Sequence, residues 1–521
     1  MSLHRRLSAT VAAGLLLAAC GERLVYEAST DPTIAESAAI VAEATVAPPA
    51  SDTTVAAQPG RATTPGVISW EKCFAGPVGT FECGYLDVPY DYDDPDVGTF
   101  SLYLVRRMAD NESERVGSML VNPGGPGFGG SDVAAYAEWY ISETLMERFD
   151  VIGWDPRGTG KSTPAVDCVD QYDRYFGIDS PPNDDAAKAE MVRITQEFID
   201  LCIERNGEML KYISTENSAR DMDSIRAALG EEKITYFGFS YGSELGATWA
   251  TMFPDTVRAA VFDGASDPNA NGFDQSMAQL KGFEQQLDAF LADCAKRPTC
   301  AIYNSGKPAE LFDQLVQDID AKPIPSRPNR TAVTQGVFYT AVTQAMYSNT
   351  LWPQLETALA EAVAGNGTGL LRLYDEYYQR KVDGSYGNEL EAFLAISCLD
   401  DPDGSTVQDV DNDVPKFVAA APRLGANFGY GYACALWPYR VESRVKVTGK
   451  GAGPIVVIGT TGDAATPLAS TRKAAANLEK GILIVVEADR HTGYGINPCV
   501  VNEVDTYLLE LKLPQNEKYC R

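Results

Sequence analysis

The chain has 521 residues, 45% of them hydrophobic, enough to bury a large core and to suggest more than one structural unit. Its 43 basic against 72 acidic residues leave a formal charge of -29. That balance argues against nucleic acid or an anionic membrane surface as a partner, because phosphate is held by clustered Lys and Arg, whereas an acidic surface can attract a cation such as a free peptide amine.

The first twenty residues read as an export signal: His4-Arg5-Arg6 is a positive start, and Leu7 to Leu17 is an apolar run too short to span a bilayer. Leu17-Ala18-Ala19-Cys20 resembles the bacterial lipobox, which implies acylation of the Cys20 thiol and membrane attachment of a mature chain that begins there. Cleavage nearby with Cys20 unmodified is the other reading, and it also gives an exported protein. Residues 21–65 are rich in Ala, Thr, Val, Pro and Ser with no aromatic after Tyr26, the composition of a flexible tether. Ten cysteines follow: Cys73, Cys83, Cys168, Cys202, Cys294, Cys300, Cys398, Cys434, Cys499 and Cys520. An even number in an oxidising compartment suggests five disulfides, with nearest-neighbour pairing as the working expectation and connectivity left open by sequence. No C-x-x-C pair occurs and His491 is the single histidine beyond the signal, so no metal cluster is expected.

Folded sequence begins near Val67. Phe100 to Arg106 and Gly117 to Val121 predict strands leading into Asn122-Pro-Gly-Gly-Pro-Gly-Phe-Gly-Gly130. A helix is expected from Ser131 to about Phe149, then a strand from Asp150 to Asp155 and the turn Pro156-Arg157-Gly158-Thr-Gly160-Lys-Ser162. Strand, helix, strand in that order implies a parallel sheet. Gly125-x-Gly127-x-x-Gly130 matches the dinucleotide fingerprint, with Asp155 near the place of a ribose-binding acid. Pro123 and Pro126 stiffen that turn and remove amide donors, which favours an oxyanion loop instead.

Lys233 to Gly242 reads as a strand, a sharp turn and the start of a helix. Gly238-Phe239-Ser240-Tyr241-Gly242 is a G-x-S-x-G nucleophile elbow, whose glycines let strand and helix approach closely around the serine. Val257 to Asp263 is a further strand. Helical spacing then governs Phe283, Leu287, Phe290, Leu291 and Cys294, and recurs in 311–319, 337–346, 355–363 and 370–378. Strand pattern resumes at Pro454 to Gly459 and at Gly481 to Glu487.

A serine hydroxyl needs a general base, commonly a histidine oriented by a carboxylate. His491 sits in Ala488-Asp-Arg-His-Thr-Gly493, just after the last of these strands, and Asp463 in Thr460-Thr-Gly-Asp463-Ala-Ala-Thr-Pro467, after the strand before it. The chain order Ser240, Asp463, His491 is that of α/β-hydrolases. Asp263 is the rival acid. The amides of Tyr241 and Gly125 are the expected oxyanion donors, and no metal or organic cofactor is required. The expected architecture is an α/β-hydrolase core, with a mostly parallel sheet, over 66–265 and 441–521. A helical cap is inserted at 266–440, behind a signal at 1–20 and a tether at 21–65.

Over Val67 to Cys520 the chain resembles the secreted tripeptidyl aminopeptidases of actinobacteria and the related mycobacterial cell-envelope serine hydrolases, within the proline iminopeptidase-like α/β-hydrolases. The resemblance lies in Asn122 to Gly130, Asp155-Pro-Arg-Gly-x-Gly-x-Ser162, Gly238 to Gly242, Asp263-Gly264, Gly462-Asp463 with Thr466-Pro467, and His491-Thr-Gly493. The C-terminal stretch through Tyr507-Leu508 and Leu513-Pro514 resembles that family's terminal region and implies a disulfide between Cys499 and Cys520. The family implies an exported serine peptidase that releases short peptides and holds the substrate's free amine by acids of the cap side, for which Asp400 and Asp401 are candidates. Iminopeptidases proper carry His before the Gly-Gly-Pro-Gly run where this chain has Pro123, which argues against specificity for a lone N-terminal proline. Two other readings stay open: a carboxylesterase or lipase acting on envelope esters, and a catalytically silent binding lipoprotein.

Overall fold

A computed structural model describes residues 66–73 and 79–521; the signal, Cys20 and the tether lie outside the described residues. Ten strands form one sheet: β1 (Glu71–Lys72), β2 (Phe81–Pro89), β3 (Thr99–Arg107), β4 (Gly117–Asn122), β5 (Phe149–Trp154), β6 (Ile234–Phe239), β7 (Val257–Asp263), β8 (Ile455–Thr460), β9 (Gly481–Val486) and β10 (Lys518–Cys520). Their order is β1-β2-β3-β5-β4-β6-β7-β8-β9-β10. The β1, β2 and β3 edge is antiparallel, including the β3–β5 pair, and every pair from β5 to β10 is parallel. β4, β5, β6 and β8 are buried at every residue, because helices cover both faces of the sheet and leave no solvent side for alternation. Strand order reverses at β4, with β5 on one side and β6 on the other, which opens a crevice at the carboxyl ends of β4 and β6.

The helix expected from Ser131 to about Phe149 is broken. Helix Ser131–Ala135 is followed by a 3₁₀ turn, Ala137–Trp139, and a new helix, Glu143–Arg148. Ser142 is extended, and its hydroxyl accepts from Leu145 N at 3.2 Å, which starts the second helix afresh. The apolar spacing runs across the break because Val133, Ala137, Ile141 and Leu145 are all buried under the same sheet face. Asp155 is 2% exposed, and its carboxylate is taken up by the loop backbone, accepting from Ser131 N at 3.1 Å and Lys161 N at 2.8 Å.

Between β7 and β8 the chain is helical, from Gly272–Lys296 through Ala433–Leu436. Helix Glu389–Leu399 straps this layer to the core. Its first turns lie against the glycine loop, where Gly127 faces the backbone of Glu389 and Phe393. Asn388 Nδ2 donates to Gly158 O and Val166 O (3.2 and 3.0 Å), and the buried Glu391 carboxylate accepts from Cys168 N and Val169 N at 2.7 and 2.9 Å. At the far end Asp400 accepts from the Thr215 amide at 3.0 Å and hydroxyl at 2.6 Å, capping helix Thr215–Ala228. Burial pushes both carboxyls up to about 7. Disulfides join Cys73 to Cys83, Cys168 to Cys202, Cys294 to Cys300, Cys398 to Cys434 and Cys499 to Cys520.

Candidate active site

Four strand ends build the site. β6 ends at Phe239, and Ser240 turns the chain with φ 54 and ψ -126 straight into helix Tyr241–Met252. So sharp a turn needs glycine at 238, where a Cβ would come within 2.3 Å of Gly242 O. The strained serine is held from the neighbouring strand: Ser240 N donates to Asp263 O at 2.8 Å.

Asp463 follows β8 and His491 follows β9. Both Asp463 oxygens lie 2.9 Å from His491 Nδ1. The same carboxylate accepts from Thr466 N at Oδ1 and from the Thr466 hydroxyl at Oδ2, both at 2.8 Å, and that hydroxyl is 3.2 Å from Nδ1. These donors fix the carboxylate plane against the ring. With Nδ1–H engaged by Asp463, the proton-accepting nitrogen is Nε2.

The histidine loop is also anchored from the helical segment between β7 and β8 and from β7 itself. His491 N donates to Tyr347 O at 2.8 Å, the two rings meet edge to face at 5.9 Å, and Asn349 N donates to Asp489 O at 3.0 Å. Asp263, the rival acid, accepts from Gly493 N at 2.7 Å and Tyr494 N at 2.8 Å, so its side chain serves the loop backbone. Burial raises its carboxyl to about 6, while those amides and His491 oppose the rise.

Around Ser240, the Gly124 amide donates to Asn122 Oδ1 at 2.9 Å, whereas the Gly125 amide donates to no group among the described residues. Tyr241 N is the first amide of the elbow helix, and the Tyr241 ring is held through its hydroxyl by Thr215, 2.5 Å away. Gly125, Ser240, Tyr241 and Thr466 line one cleft of about 630 Å³. Glu244, Asp267, Asp274, Asp401, Asp403, Asp409 and Asp413 also line it, against Lys473 as the one basic residue of the lining. Asp401 therefore lines the same cleft as Ser240. Asp400 is engaged by Thr215 and lines an adjoining cavity of about 350 Å³. Thr466 is legible in the sequence only as part of a motif, and Tyr347 is not legible there at all, because it contributes a main-chain carbonyl that any residue type could supply. Among the described residues no cluster of His, Cys, Asp and Glu is arranged to hold a metal ion, and no helix is long and apolar enough to cross a membrane.

The structure thus holds a buried histidine paired with aspartate, and a serine on a strained strand-to-helix turn, both tied to Asp263 through main-chain amides. The alpha/beta hydrolase fold family matches residues 117–498. Over 476 residues the chain is 34% identical to Serine protease Hip1 of Mycobacterium tuberculosis, covering 87% of this chain and 91% of that one. It is 34% identical over 511 residues to Carboxylesterase B of the same species, with 91% and 94% covered. Tripeptidyl aminopeptidase of Streptomyces lividans is 30% identical over 472 residues, with 87% and 86% covered.

Proposed function

The chain belongs to the α/β-hydrolase family, and on that premise we propose that it is an exported serine peptidase that releases short peptides through an acyl-enzyme. The observation that carries the reading is the Asp463–His491 pair at 2.9 Å, with Asp263 tying the His491 loop to a serine held at φ 54. Ser240 Oγ attacks the scissile carbonyl while His491 Nε2 takes its proton, and Asp463 holds Nδ1–H and stabilises the imidazolium. The amides of Tyr241 and Gly125 receive the oxyanion. The imidazolium then protonates the leaving amine, and water, deprotonated by His491, releases the acyl fragment. The acidic cleft suits a substrate with a free N-terminal amine, and Asp401, which also pairs with Arg440 at 3.7 Å, is among the carboxylates that line it. Export and acylation of Cys20 belong to the same proposal, supported by the signal pattern of residues 1–20.

The test is a fluorophosphonate probe on the purified chain, with mass spectrometry of the labelled peptide. Labelling at Ser240 that Ser240→Ala and His491→Ala both abolish is the expected result; a folded, disulfide-intact chain that does not label refutes the reading. The 34% identity to a carboxylesterase favours ester hydrolysis as a second activity of the same triad. A matched series of esters and peptides separates them: rates unchanged when the peptide amine is blocked favour the esterase.

A further inference from the structure

Three strands must end at the right heights for Ser240, Asp463 and His491 to act together, and one dipeptide bonds to Ser240, to β8 and to the loop that carries His491. The main-chain oxygen of Asp263 accepts the nucleophile's amide at 2.8 Å, and its side chain accepts the Gly493 and Tyr494 amides at 2.7 and 2.8 Å. Gly264 N donates to Ile458 O of β8, the strand that leads to Asp463, at 2.9 Å. Gly264 also lies under the imidazole. With φ at 70, a Cβ there would stand 2.9 Å from His491 Cε1 and 3.2 Å from Thr492 Cγ2. Asp263 is fully buried, and the charged groups that act on it are His491 and Asp463. A carboxylate in such a place is hard to explain as packing alone, since burying a charge is costly unless it is well paired.

Resting on the triad reading above, we infer that Asp263 and Gly264 form a positioning unit, which sets the separation of nucleophile and base and places a second negative charge near the imidazolium. Asp263 touches no reacting atom; it acts through Ser240 and the His491 loop. Asparagine at 263 keeps the shape and one acceptor but sets an NH₂ against the other loop amide and removes the charge. Two consequences follow. The base loses its fixed height, which slows the reaction without changing substrate affinity. The imidazolium loses a stabilising charge, so the acid limb of the rate moves to lower pH.

The experiment compares the parent chain, Asp263→Asn and Gly264→Ala by rate of fluorophosphonate labelling at Ser240 across pH, and by kcat and KM on a small neutral ester. Expected are a fall of roughly tenfold or more in labelling rate for both variants with KM within about twofold, and for Asp263→Asn an acid limb displaced downward. Labelling by Asp263→Asn at the parental rate overturns the inference, and so does a lowered melting temperature with rate and limb unmoved. Should Asp263→Asn lose its cooperative melt, Gly264→Ala decides: a parental rate there refutes the positioning unit. A parent that does not label overturns the triad reading and this inference together, whereas a parent that labels while the variants match it overturns only the inference.

Discussion

Replacing Thr466 by valine isolates one hydrogen bond of the site. The hydroxyl donates to Asp463 Oδ2 at 2.8 Å and is buried, while the Thr466 amide serves Oδ1 independently. Valine keeps the shape and the amide, so only the hydroxyl's bond is lost. A hydrogen bond to a charged group contributes roughly 1.5–3 kcal/mol. After the change Oδ2 keeps His491 alone as donor, and the carboxylate can turn out of the plane that holds Nδ1–H. If most of that energy is expressed in the transition state, kcat/KM falls about 10- to 100-fold at ~1.4 kcal/mol per decade, with KM nearly unchanged. Thr466→Ser restores the donor and is expected within about fivefold of the parent. The assay is steady-state hydrolysis of a chromogenic tripeptide amide and of an ester by all three proteins, with thermal melts to confirm folding. A valine variant within about twofold of the parent on both substrates would show that the Thr466 hydroxyl does not orient Asp463.

Asp463→Asn should leave a folded protein that labels at Ser240 roughly a thousandfold or more slowly, because the amide can present its NH₂ to Nδ1 and favour the wrong tautomer; labelling near the parental rate would transfer the role of acid elsewhere. Glu391, raised to about 7, holds its proton more tightly folded than unfolded, so the parent should lose stability as pH climbs from about 4.5 to about 7 and then level off. Glu391→Gln lacks that contribution, and its melting temperature should decline less across the same window; equal declines would refute the assignment. Removing Cys168–Cys202, which spans 34 residues, should destabilise by roughly 4 kcal/mol in the chain-entropy picture, against roughly 2 kcal/mol for the six-residue Cys294–Cys300 loop. Paired serine variants followed by denaturant unfolding give the order, and a larger loss for the short loop would contradict it.

What could be read from the chain beforehand depended on whether side chains or main chain carried the information. The central parallel strands announced themselves as unbroken apolar runs, and the elbow as glycine, serine and glycine at fixed offsets. Helix Asp185–Asn206 was invisible to periodicity because only Phe198, Ile199 and Cys202 of its 22 residues are buried. The break inside 131–149 was hidden for the opposite reason, since buried residues continue at helical spacing across it. Asp263 and Asp463 each end or follow a strand, and only the folded direction of each side chain separates a carboxylate that meets the imidazole from one that meets two amides. Asp400 looked available for a substrate amine, yet it caps a helix brought to it from another part of the chain.

The bond from His491 N to Tyr347 O also bears on how such proteins can diversify. Caps are commonly treated as exchangeable modules, grafted to change what an enzyme accepts while turnover is left to the core. Here a graft boundary drawn at β7 and β8 would cut across main-chain bonds, because the segment around Tyr347 and Asn349 holds part of the His491 loop. A chimaera built from two relatives would have to keep the backbone of 347–349 in register with that of 489–491, whatever side chains the grafted segment brings.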